Sequence, residues 1–215
     1  MPIPIPSRAR RSARSASISG CRSNAAAAIP TVATERRSTD SLRPLISERR
    51  LRRRVRELAR RIDHDYPDKP LTLIVVLKGA AIFAADLMRE LTVPFALEFV
   101  GASSYRNNMR SSGEVALGNT DAIGIAGRDV LVVEDILDTG LTSTALLDRL
   151  RRRGPASLAL CALLDKRNGR AAGLPVAYAG FTIPDEFVVG YGMDYAERYR
   201  NLRGVYLLRF EPAEP

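Results

Sequence analysis

The chain has 215 residues, 46% of them hydrophobic, enough to bury one substantial core, with one domain as the natural expectation. Two cysteines, Cys21 and Cys161, make no disulfide framework and point to a reducing compartment. The single histidine, His64, leaves little room for a histidine-based metal centre or a Ser-His-Asp triad.

The net charge of +9 is uneven: residues 1–40 hold seven arginines against Glu35 and Asp40 and supply +5 of it. The remaining +4 is spread widely, which is weak ground for a nucleic-acid surface. Residues 1–40 mix Pro, Ser, Arg and Ala without a lasting period and read as a disordered basic extension. Their composition fits a transit peptide, an over-extended start, or an arm for an anionic partner equally well.

The compact domain opens near Pro44. Leu51, Val55, Leu58 and Ile62 recur at helical spacing within SERRLRRRVRELARRID, giving an amphipathic helix with a solvated arginine face. LTLIVVL (71–77) reads as a fully buried strand, too short to span a membrane, and AIFAADLMREL as a helix after a Lys78-Gly79 turn. PFALEFVGA (94–102) is a second strand, SSYRNNMRSSGEV a mobile loop, and 114–117 a short strand. DVLVVED supplies a buried strand and TSTALLDRLRRR a helix ended by Gly154-Pro155. SLALCALLDK, VAYAGF, FVVGY and GVYLLRF follow as strands. Continuous apolar strands separated by helices predict an α/β fold with a mostly parallel central sheet flanked by helices. Ligands in such sheets sit beyond the carboxyl ends of the strands, where Lys78, Glu134, Asp135 and Lys166 all fall. Lysine is rare, only Lys69, Lys78 and Lys166, so two of three lie at such ends.

Glu134 and Asp135 are expected at the tip of the strand that begins near Val130. Adjacent carboxylates there can accept hydrogen bonds from vicinal sugar hydroxyls or hold a hydrated Mg²⁺. The turn Asp138-Thr139-Gly140-Leu141-Thr142 can surround a phosphate with backbone N–H groups at a helix N-terminus. Capping alone explains acidic strand ends and threonines equally well. Neither a Walker A loop nor a G-x-G-x-x-G fingerprint is present.

VVEDILDTGLTS resembles the phosphoribosyl-pyrophosphate motif of the type I phosphoribosyltransferases. With LKGA (77–80), SSY (103–105), SSG (111–113), LLDKR (163–167) and IPDEFVVGYGMDYAERYRNL (183–202), residues 44–210 are similar to the hypoxanthine(-guanine) branch of that family. The resemblance implies the type I fold with a small hood and a mobile active-site loop, residues 41–215 as the phosphoribosyltransferase domain, and Mg²⁺ as cofactor. It implies a 6-oxopurine and phosphoribosyl pyrophosphate as substrates and a dimer or tetramer; a cytoplasmic protein without a membrane partner is expected, organelle import through residues 1–40 stays open, and a nucleic-acid partner is disfavoured.

Residue by residue, it makes Glu134 and Asp135 partners of the ribose hydroxyls, directly or through Mg²⁺, and Asp138 the acid/base near purine N7. Thr139, Gly140, Leu141 and Thr142 become the 5′-phosphate loop. Lys78, Gly79 and Arg200 would face pyrophosphate, with a cis peptide between Leu77 and Lys78. Lys166 would donate to the purine 6-oxo group, Phe187 would stack on the base, Val188 would offer backbone to its edge, and Asp194 would bind Mg²⁺. Ser104 and Tyr105 would ride on the closing loop.

Each role has a plainer competitor. Lys166 follows Asp165 and fits a surface ion pair; Phe187 fits the core; Asp194 fits a helix cap; Arg200 fits a solvated face. His64 and Cys161 read as structural. The loop departs from the glycine-rich Ser-Tyr-Gly-x-x-Thr pattern of many relatives, which bears on its closure. A rival class is a phosphoribosyl-site regulator that binds RNA through the basic extension.

Overall fold

The chain enters the fold on a strand that its sequence does not advertise. In the computed structural model, which describes residues 40–104, 115–118, 120, 122–166 and 174–210, Asp40–Ile46 forms β1. The sequence marks only the opening of the domain near Pro44, because that proline interrupts the segment and no alternation marks it as a strand. The β1 ladder with the last strand is antiparallel and shifts register between Pro44 and Ile46. Proline is tolerated there because β1 is an edge strand.

Helix α1, Glu48–Asp65, buries the predicted stripe of Leu51, Val55, Leu58 and Ile62. Its arginines stay at the surface, paired with Glu48, Glu57 and Glu90 or lying over Phe181 and Tyr178. Next come β2 (Leu71–Leu77), α2 (Ala81–Glu90), β3 (Phe95–Ser104), β4 (Val115–Leu117) and β5 (Asp129–Leu137). They are followed by α3 (Leu141–Arg151), β6 (Ser157–Asp165), β7 (Tyr178–Thr182), β8 (Val188–Val189) and β9 (Val205–Phe210).

Six strands form the central sheet in the order β4-β3-β2-β5-β6-β7, parallel except for the β3–β4 pair. The uninterrupted apolar runs follow from burial on both faces. Leu73, Val75, Leu131, Val133 and Leu163 point into the core under α1 and α2. Ile74, Val76, Val130, Val132 and Leu160 point into a second core under α3. A separate three-stranded antiparallel sheet, β1-β9-β8, forms the small hood. Among the described residues no helix is long and apolar enough to cross a membrane.

One expectation shifts in a way that matters for the site. β5 does not stop at Asp135: its ladder with the equally long β6 runs on through Ile136↔Leu164 and Leu137↔Asp165. Glu134 and Asp135 therefore stand within a paired strand, and Asp138 is the first residue beyond it.

The completely buried α1 stripe yields a stability test. Leu58 is 1% exposed, and Leu58→Ala is expected to lower unfolding free energy by about 2–5 kcal/mol in urea titration.

Candidate active site

The carboxyl edge of the central sheet opens into a cleft of about 630 Å³. Its floor is built where β2 ends. The Leu77–Lys78 peptide is cis, and Gly79 packs so closely on Asp135 that a Cβ there would overlap the carboxylate. Gly192, with φ of +103°, in turn lies against the Gly79 carbonyl, leaving no room for any side chain. Two glycines thus let the strand-borne Asp135, the Lys78 turn and the 190–200 segment meet at one point.

Glu134 is buried and accepts a hydrogen bond from Ser143 of α3, while its Oε1 has no hydrogen-bond partner among the described residues. Burial, only partly offset by Ser143 and reinforced by the adjacent Asp135, pushes its carboxyl up to about 7. Asp135 is raised to about 6, chiefly by burial; its backbone hydrogen bonds and the Arg200 charge pull the other way. A buried acceptor with unengaged lone pairs suits a hydroxyl or a hydrated cation brought in from outside.

Beyond β5 the chain turns through Asp138, Thr139 and Gly140, whose φ of +75° starts α3. The Leu141 backbone N–H reaches Thr139 Oγ1 at 3.5 Å. Thr139, Gly140 and Thr142 line the cleft with their neighbours; the Leu141 side chain is 58% exposed and points elsewhere. The Lys166 backbone N–H donates to the Leu137 carbonyl at 3.0 Å, extending the β5–β6 ladder and bringing Lys166 beside Asp138. The Lys166 side chain is only 8% exposed, and its Nζ lies 3.6 Å from Asp138 and 3.2 Å from Asp185.

The hood supplies the opposite wall. Phe187, 40% exposed, lines the cleft and packs edge-on against Tyr195 at 5.7 Å between centroids. Its carbonyl is bonded by Leu208 of β9, and Val188 begins β8 beside it. Arg200 closes the site: it pairs with Asp194 at 2.8 Å and Glu197 at 3.1 Å, and donates to the Gly192 carbonyl. Glu197 also meets Lys78 at 3.0 Å, and the two cations hold its carboxyl below the ordinary range.

The structure therefore gathers Lys78, Gly79, Glu134, Asp135, Asp138, Thr139, Gly140, Thr142, Lys166, Phe187, Val188, Asp194 and Arg200 around one cleft. Leu141, also expected in the phosphate loop, is not among the lining residues. Ser104 ends β3, and Tyr105 with loop residues 106–114 lies outside the described residues. The expected metal residues Glu134, Asp135 and Asp194 do not form a preassembled ligand group: among the described residues no three acidic, histidine or cysteine side chains converge on one point. Asp194 is instead engaged by Arg200 and by the Glu197 backbone N–H. An all-oxygen donor set with the orphaned Glu134 Oε1 still fits Mg²⁺ that shares its coordination with a substrate.

Three participants were not anticipated. Ser143 lies one helical position past the predicted phosphate loop, Asp185 stands two residues before Phe187, and Glu197 stands three before Arg200. Only the last carried a sequence signal, the i,i+3 charge spacing, and it was absorbed into the solvated-face reading.

Known proteins resemble this chain over most of its length. The family model "Phosphoribosyl transferase domain" matches residues 46–196. The chain is 43% identical over 165 residues to the hypoxanthine-guanine phosphoribosyltransferase of Bacillus subtilis, covering 77% of this chain and 92% of that one. It is 42% identical over 172 residues to the bifunctional protein TilS/HprT of Listeria innocua, covering 80% of this chain but spanning only 26% of that longer protein. A crystal structure of a hypoxanthine-guanine phosphoribosyltransferase from Bacillus anthracis superposes with a TM-score of 0.72 at 42% identity, covering 79% of this chain and 99% of that one.

The raised carboxyls predict a pH signature. An acid whose folded pKa exceeds its unfolded value binds more protons when folded, so its contribution to stability falls as pH rises between the two. For Glu134 that window runs from 4.5 to about 7. Glu134→Gln is expected to remove a loss of up to roughly 3 kcal/mol, so its unfolding free energy falls less than that of wild type across the window. Parallel pH profiles in denaturant titration would contradict this.

Proposed function

The chain belongs to the hypoxanthine-guanine phosphoribosyltransferase family of type I phosphoribosyltransferases, and we propose that it carries a phosphoribosyl group onto N9 of hypoxanthine and guanine. The donor is phosphoribosyl pyrophosphate, and the products are the purine nucleoside monophosphate and pyrophosphate, a purine-salvage reaction. The observation that carries the reading is the pairing of two walls in one cleft. Buried Lys166 and ring-presenting Phe187 face a strand-borne carboxylate pair and a turn rich in N–H donors.

In this reading the phosphate sits in the Thr139–Thr142 turn, where the α3 N-terminus favours negative charge. Leu141 contributes only its N–H. Glu134 and Asp135 accept hydrogen bonds from the ribose hydroxyls, which would satisfy the orphaned Glu134 oxygen. The bond from ribose C1′ to pyrophosphate breaks as the bond to N9 forms. Positive charge then grows on the sugar ring and negative charge on the leaving group, which Lys78 and Arg200 can take up. Asp138 accepts the proton that the base sheds from N7. Lys166, cationic and donor-only, satisfies a 6-oxo acceptor and has nothing to accept from a 6-amino group. That disfavours adenine. Phe187 stacks on the base, and Val188 presents backbone to its edge.

Mg²⁺, held by Asp194 and by Glu134 and Asp135 together with substrate oxygens, would supply additional charge neutralisation to pyrophosphate. Residues 41–215 are read as the phosphoribosyltransferase domain and residues 1–40 as a basic extension outside it. Cytoplasmic residence belongs to the same proposal, as does assembly into a dimer or tetramer. Exposed Leu97 and Phe99 on β3 offer apolar area for such assembly.

Two substitutions test the roles. Asp138→Asn is expected to cut nucleotide formation from hypoxanthine by about 10²-fold or more while leaving nucleotide binding close to wild type. Lys166→Ala is expected to raise the KM for hypoxanthine far more than that for phosphoribosyl pyrophosphate. An Asp138→Asn enzyme with undiminished turnover would remove Asp138 from the chemistry.

A further inference from the structure

Lys78 and Arg200 come from opposite sides of the cleft floor, one from the turn after β2 and the other from the 190–200 segment. Between them stands a carboxylate that the proposed reaction does not use. Glu197 Oε1 meets Lys78 Nζ at 3.0 Å, and Glu197 Oε2 meets an Arg200 guanidinium nitrogen at 3.1 Å. Each oxygen takes a different cation, as two oxygens of a bound phosphate would.

The backbone fixes this position. Tyr195 and Arg198 exchange both backbone hydrogen bonds, at 3.2 and 3.0 Å. Ala196 and Glu197 form the two-residue tip between them, with φ of +50° and +58°. This is the left-handed geometry of a tight hairpin turn, in which glycine or asparagine would be less strained. The Glu197 backbone N–H donates to Asp194 Oδ2 at 2.9 Å, which ties the tip to the base of the segment. The tip thus aims the carboxylate inward at Lys78 and Arg200, although the side chain itself is well exposed.

We propose that Glu197 is an affinity-determining residue of this enzyme, an internal anion bridging Lys78 and Arg200 until the pyrophosphate group displaces it. The inference rests on the reading of Lys78 and Arg200 as the pyrophosphate cations. Its chemistry is exchange of ion pairs only. A carboxylate with one negative charge is a weaker partner for two cations than pyrophosphate, so the ligand wins, but against competition. The same competition returns when pyrophosphate leaves, since Glu197 can re-form both pairs as it departs. The residue would therefore weaken binding of the anionic co-substrate and speed loss of the anionic product. A nucleoside monophosphate, whose phosphate lies in the Thr139–Thr142 turn, does not compete with it.

Calorimetric titration of the full chain with Mg-pyrophosphate and, separately, with inosine monophosphate tests this. Exposed ion pairs are individually weak, so Glu197→Gln is expected to bind pyrophosphate only about threefold to tenfold more tightly, with monophosphate affinity changed by less than about twofold. In turnover the variant should show a lower KM for phosphoribosyl pyrophosphate together with a lower kcat, because product release slows. A merely structural role for Glu197 would shift both ligands together and lower the unfolding midpoint. Unchanged or weakened pyrophosphate binding by Glu197→Gln, with wild type binding both ligands, would overturn the inference alone. Wild type that binds neither ligand would overturn the underlying site reading along with it.

Discussion

The parallel ladder between β5 and β6 is the constraint on which the site depends. It continues past the apolar runs to Leu137↔Asp165 and is extended by the Lys166 N–H to Leu137 carbonyl bond. One consequence is that Asp138 and Lys166, twenty-eight residues apart, leave their strands side by side. Another is that Glu134 and Asp135, two strand positions that must face opposite ways, are held rigidly while α3 and the Lys78 turn come to them. Ser143 meets the first and Gly79 accommodates the second. The Glu134–Asp135 pair, Asp138 and Lys166 are thus set by one run of backbone hydrogen bonds, which is the firmest way a fold has of fixing distances between side chains.

The electrostatics of the cleft suit an anionic, hydroxyl-bearing ligand. Burial, only partly offset by nearby hydrogen bonds and the Arg200 charge, raises the Glu134 and Asp135 carboxyls, and Glu134 Oε1 has no hydrogen-bond partner among the described residues. Desolvated carboxylates of this kind cost stability and persist where a ligand repays them. The cations, by contrast, are all engaged. Lys166 lies between Asp138 and Asp185, Arg200 between Asp194 and Glu197, and Lys78 on Glu197. On the proposed reading, substrate binding would be an exchange: anions on the protein would give way to anions on the ligand, and ribose hydroxyls would meet the buried carboxylates.

The strand–helix order and the location of the site were legible because they rest on local patterns. Buried runs such as LTLIVVL and DVLVVED announce a two-sided sheet, and the stripe Leu51, Val55, Leu58, Ile62 announces the covering helix. β1 was not legible, since an edge strand paired to a partner some 160 residues later carries Pro44 and no period of its own. The full length of β5 was hidden too. Glu134 and Asp135 look like a strand end, yet β6 supplies ladder partners beyond them. Among site residues, those to which the family motifs assign a role were readable, whereas Ser143, Asp185 and Glu197 lie inside the same motifs without an assigned role. Their roles arise from a helix, a loop and a tight turn brought in from elsewhere by the tertiary fold.

A crystal structure of the protein with bound inosine monophosphate tests the central claim most directly. The account predicts the phosphate within the Thr139–Thr142 turn, the ribose hydroxyls on Glu134 and Asp135, and the base against Phe187. The 6-oxo group should lie within hydrogen-bond reach of Lys166 and N7 near Asp138. A nucleotide bound with its base away from Lys166 and Phe187, or with its phosphate outside that turn, would contradict it.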